Sequence, residues 1–125
     1  MDLKSKRKEI HKLIRNYAPK NTEFYWHNDT IDSIGLCKAR YCPLNKEFYD
    51  YEIYISHKFA ASHSWEEVRN IVIQEIAHAR TLGKKKSEWF SEYKRLKSII
   101  DKNEKSKSQN SENKDEKTPG KPGVN

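Results

Sequence analysis

The chain has 125 residues, 34% of them hydrophobic and 34% charged, with a mean hydropathy of -1.09 and a formal net charge of +7. No stretch approaches the ~20 apolar residues that a bilayer-spanning helix needs, which excludes a span of that kind. From position 101 to 125 the only hydrophobic residue is Val124, set among six lysines and five acids, so this stretch cannot build a core. The organisation expected is one domain over residues 1–100 and a disordered Lys/Ser/Asn/Glu-rich tail over 101–125.

Six of the seven net charges fall on the first 100 residues. A body this basic suits a nucleic acid or an acidic protein through long-range attraction. Met1 is followed by the charged run Asp2, Lys4, Lys6, Arg7 and Lys8 with no apolar segment behind it, so no secretory signal and a cytoplasmic location are expected. Cys37 and Cys42 fit that compartment as free thiols, because a lone C-x4-C lacks the second ligand pair of a zinc ribbon.

In chain order, Leu3, Ile10, Leu13, Ile14 and Tyr17 fall on one helical stripe, with Lys4, Lys6, Arg7, Lys8, Lys12 and Arg15 around it. This predicts a surface helix that packs its apolar stripe and ends at Ala18-Pro19, since the residue before a proline is steered out of the α region. Residues 22–56 change to strand signals. The segments 23–27, 33–40 and 48–56 are candidates, and Pro43 to Lys46 supplies a turn between the last two. Tyr49, Tyr51, Ile53 and Ile55 are expected on one face, and a small antiparallel meander is the economical arrangement.

Ser64 and Glu67 form a capping-box pattern that opens a helix running to about Leu82. Val68, Ile71, Val72, Ile73, Ile76, Ala77 and Ala79 nearly encircle it, so it should lie at the centre of the domain. Gly83 is a plausible stop. A last helix over about 87–100 carries Trp89, Phe90, Tyr93, Leu96, Ile99 and Ile100 at helical spacing. The fold class expected is thus α+β: a three-stranded antiparallel sheet on a buried central helix, with a helix at each end.

The central helix contains Gln74, Glu75 and His78 inside an apolar run, and burying such groups is costly unless they are paired or used. Positions 74 and 78 are one turn apart with Glu75 beside them, the spacing by which two histidines grip zinc while a glutamate polarises bound water. Together with Trp26 in an early strand, the glycine-led strand Ile34-Gly35-Leu36-Cys37, a strand ending in Ile55-Ser56, and an aromatic-led last helix after a lysine-rich loop, this order resembles the SprT-like domain family. These are zincin-fold metallopeptidases that include the Spartan-type proteases acting on DNA-crosslinked proteins.

The resemblance implies that Glu75 matches the general base, His78 the second metal ligand and Gln74 the position of the first. Lys85 stands where the third histidine would. Gln74 is a poor donor to zinc and Lys85 must lose a proton to coordinate, so one of three family ligands is kept. His63 lies roughly 20 Å from His78 along a continuous helix; His27 and His57 could reach Glu75 only through folding, and His11 is on the basic helix. The reading is a SprT-like, metallopeptidase-related binding module without zinc-dependent catalysis, with a protein or peptide in the groove and Lys85 pairing with Glu75. The alternatives are an active zinc peptidase with an unusual ligand set, zinc then being the cofactor, or a basic nucleic-acid-associated protein using Lys84, Lys85 and Lys86.

Overall fold

The computed structural model describes residues 1–28 and 33–113. Its elements are α1 (Leu3–Tyr17), β1 (Glu23–His27), β2 (Gly35–Cys42), β3 (Glu47–Ser56), α2 (His57–Ser62), α3 (Trp65–Arg80) and α4 (Lys86–Asn113). No described helix is long and apolar enough to cross a membrane.

The helix boundaries follow from their caps. Asp2 accepts from the Ser5 amide at the start of α1, and Ala18 closes it in an extended conformation before Pro19. The capping box at α3 is complete, with Ser64 and Glu67 each satisfying the other's backbone amide. Gly83 then takes φ +82, a conformation that a side chain resists, and it faces the Phe48 ring.

The sheet is mixed, with the order β1-β3-β2, rather than the antiparallel meander expected. β2 runs antiparallel to β3, but β1 lies on the other side of β3 and parallel to it, Phe24 opposite Ile53 and Trp26 opposite Ile55. Burial explains the order. β3 carries Ile53 and Ile55, both fully buried, and takes the centre, while β2, with exposed Lys38 and Arg40, takes an edge. The predicted face of β3 also breaks. Asp50 has φ +53 and the β2–β3 register shifts between Lys38 and Arg40, so Tyr49 is exposed and Phe48, not Tyr49, turns toward Gly83.

The core is built on α3. Val68, Val72, Ile73, Ile76 and Ala77 are fully buried against Ile10, Leu13 and Ile14 of α1, Leu96 and Ile100 of α4, and Phe24, Ile53 and Ile55 of the sheet. Each such aliphatic side chain contributes roughly 1.5–3 kcal/mol. The short helix α2 carries no strong periodicity and was not expected. Lys6 fastens it to α1 from a buried position, its Nζ donating to the carbonyls of Ala60 and His63 at 2.7 Å each.

The last helix also runs past its expected end at about position 100. α4 continues to Asn113, and Asp101 and Glu104 hold the guanidinium of the buried Arg69. Lys97 and Asp101 add an i,i+4 pair on the same helix. Lys, Glu, Ser and Gln do not build a core, but they do not prevent a helix that a core anchors at its other end. The expectation for residues 114–125 falls outside the described residues.

Candidate functional site

The sequence motif lies where α3 passes beneath the edge strand β2. Glu75 is 8% exposed and leans on the backbone of Gly35, where a Cβ would come within 2.8 Å of Oε2 and 3.0 Å of Cγ. A glycine within a strand often marks such an approach. Among the described residues the carboxylate has no hydrogen bond or ion pair, and burial pushes its pKa up to about 7. Cys37, next on the same face of β2, has its thiol pushed up to about 12 by burial and then by the Glu75 charge. It is a free but inert thiol. Cys42 is five residues further along an extended strand, roughly 16 Å away, too far for a disulfide.

One turn on from Gln74, the imidazole of His78 stacks on Trp89 at the start of α4, with ring centroids 4.6 Å apart and planes 12° off parallel. Burial lowers its pKa, so the ring is neutral. The Trp89 indole N–H donates to the backbone oxygen of Gln74 at 3.2 Å and fixes the ring over the helix. Tyr93 continues the stack, its ring 6.0 Å from Trp89. The aromatic lead of the last helix thus walls one side of the motif, and β2, which among the described residues pairs with β3 alone, forms the other.

Lys84, Lys85 and Lys86 are exposed, and none makes an ion pair among the described residues. The Lys85 carbonyl accepts from the amides of Glu88 and Trp89, so Lys85 heads α4. The expected Lys85–Glu75 pair does not form. Glu75 is shifted by burial alone, with no cation holding it charged. The other histidines are also elsewhere. His57 stands edge-on to Trp26, His63 stacks on Phe59, and His11 meets Phe24 edge-on. His27 is buried at the end of β1 with neither ring nitrogen hydrogen-bonded among the described residues.

This donor set does not fit a catalytic zinc, which takes three imidazole, thiolate or carboxylate ligands and a water. Within one turn of Glu75 on α3 there is one imidazole, His78, and one neutral amide, Gln74, and the facing strand adds the single thiol of Cys37. Among the described residues no group of three or more His, Cys, Asp or Glu side chains is placed to hold a metal ion. Gln74, Glu75 and His78 thus lie within little more than one turn of α3, Glu75 packed on Gly35 of β2 and His78 on Trp89 of α4. Gly35, Cys37 and Trp89 complete their surroundings; Cys37 alone of these carries a ligand atom, and only the glycine inside a strand signals a close approach in the sequence.

Comparison of the chain with protein-family models, with curated proteins and with solved structures finds no match.

Proposed function

We propose that the chain is a SprT-like module that holds an extended polypeptide beside β2 without cutting it. The observation that carries this reading is the packing of Glu75 on Gly35 of an edge strand, with His78, one turn on along α3, stacked on Trp89. An edge strand offers backbone donors and acceptors to an added strand, and the Trp89–Tyr93 stack gives that strand an aromatic wall. The general-base position is filled, but its carboxyl sits near pKa 7 with no partner among the described residues, and the neighbours expected of a metal site are an amide and a lysine.

The test is titration of the labelled protein with an unstructured polypeptide such as unfolded casein, followed by backbone NMR, with cleavage assayed in the same tubes with and without added zinc. Saturable shifts in residues 35–38 and in the His78 and Trp89 signals, with the polypeptide intact, are expected. Shifts confined to other surfaces, or cleavage abolished by Glu75→Gln, would contradict the reading. Lineage has its own test: Gln74→His with Lys85→His should create zinc binding in one step, and a folded double variant that binds none refutes the assignment of Lys85 to the third ligand position.

A further inference from the structure

We infer that the outward face of α1 is a phosphate-contacting surface for duplex DNA, separate from the groove beside β2. Lys4, Arg7, Lys8, His11 and Arg15 follow one another at spacings of three, one, three and four, which at about 100° per residue places all five within an arc of roughly 100°. All five are exposed, and the arc lies outside the buried stripe of Ile10, Leu13 and Ile14. None of the four permanent cations makes a hydrogen bond or ion pair among the described residues. The helix's own acid, Glu9, lies off the arc and is taken by Lys12. His11, at the middle of the arc, has its pKa lowered by burial and then by the charges of Arg7 and Arg15, one turn before and one turn after it on the helix. A folded protein gains no internal stability from gathering unpaired cations on one face.

Three kinds of polyanion could neutralise such a face, and the structure favours one. An anionic membrane is taken up by helices whose apolar face is free to enter the lipid, and that face of α1 is spent in the core. An acidic protein partner needs a buried aromatic or aliphatic anchor, and the arc carries none. The phosphate backbone needs only spaced cations. From Lys4 to Arg15 the stripe spans about 17 Å, against one charge per ~3.4 Å of axis on each DNA strand. A helix about 10–12 Å across also matches the ~12 Å major groove of B-form DNA, whereas the corresponding groove of A-form RNA is too narrow to admit it.

The experiment is fluorescence anisotropy of the full chain with a random-sequence DNA duplex of about 20 base pairs, over ~50–200 mM salt. Four phosphate contacts give a log–log salt slope of roughly -3 to -4 from this face. Lys4→Gln, Arg7→Gln, Lys8→Gln and Arg15→Gln combined should abolish that component with far-UV helicity retained, and Arg7→Gln or Arg15→Gln alone should reduce the slope by about 1. Lys84→Gln, Lys85→Gln and Lys86→Gln combined should leave it in place. The inference is overturned by no duplex binding, by a slope that survives the α1 changes, or by a slope that the loop changes remove instead. Equal affinity for poly-L-glutamate or for phosphatidylglycerol vesicles also overturns it, since either means that duplex phosphate is not what the face selects.

Discussion

Glu75 and Gly35 occupy each other's space: the carboxylate fills the volume that any side chain at position 35 would need, the nearest approach being 2.8 Å to Oε2 with Cγ and Cδ at 3.0 and 3.1 Å. Three atoms of one side chain stand in the way, so Gly35→Ala requires the whole of Glu75 to turn or β2 to lift from α3. A cost of about 1–3 kcal/mol in denaturant unfolding is expected. Glu75→Ala clears the obstruction, so the double variant should recover most of that loss. Additive losses in the cycle would mean that the two residues do not touch.

The same carboxyl sets a pH dependence. Its folded pKa of about 7 lies above the ordinary glutamate value of 4.5, so the folded state holds the proton more tightly than the unfolded chain. Its effect on stability is therefore absent below about pH 4.5 and grows as pH rises through 7, amounting to a loss of up to about 3 kcal/mol. Urea midpoints between pH 5 and 8 should fall for the native protein relative to Glu75→Gln, which should be the more stable of the two at pH 8; the lowered pKa values of His78 and His11 favour folding as pH rises in both proteins alike.

Glu92 acts in the opposite sense. Its pKa is pushed down to about 2, first by the hydrogen bonds from Arg95 and then by Arg80, whose guanidinium also reaches the Tyr17 carbonyl. This stabilisation is present above the unfolded value of 4.5 and is lost as pH falls toward 2. Both arginines are well exposed, which limits it to about 1 kcal/mol. Glu92→Gln should flatten the acid limb of the stability profile and leave the alkaline limb unchanged.

Ending the chain at Ile100 removes both carboxylates that hold Arg69, whose side chain is 9% exposed. A nearly buried guanidinium would be left without an anion, and thermal unfolding should register a loss of about 1–2 kcal/mol. Arg69→Met in the shortened chain should restore part of it. Equal stability of the 1–100 and 1–105 chains would show that the clasp contributes nothing.

What was legible in the sequence was whatever local chemistry decides. The cap at Ser64, the stop at Gly83, the stripe of α1 and the encircled α3 all follow from residues within a turn or two of one another. Pairing order was not legible, because β1 chose its partner by burying Phe24 and Trp26 beside Ile53 and Ile55, a tertiary choice with no local mark. The reach of α4 was missed for a related reason: Asp101 and Glu104 read as tail by composition, and their partner Arg69 is more than thirty positions away. At the site, the grouping of Gln74, Glu75 and His78 came from helical spacing. The proposed ion pair to Lys85 failed because a lysine heading α4 is free to point into water, whereas Glu75 is sealed beneath β2.

Metal analysis of the native chain, purified with zinc in the medium and dialysed, bears most directly on the proposal that the groove beside β2 binds without zinc chemistry. With no group of three or more metal-ligating side chains placed together among the described residues, only loosely held, substoichiometric zinc is predicted, which dialysis removes and His78→Ala does not alter. One zinc per chain, retained through dialysis and lost in His78→Ala, would contradict it.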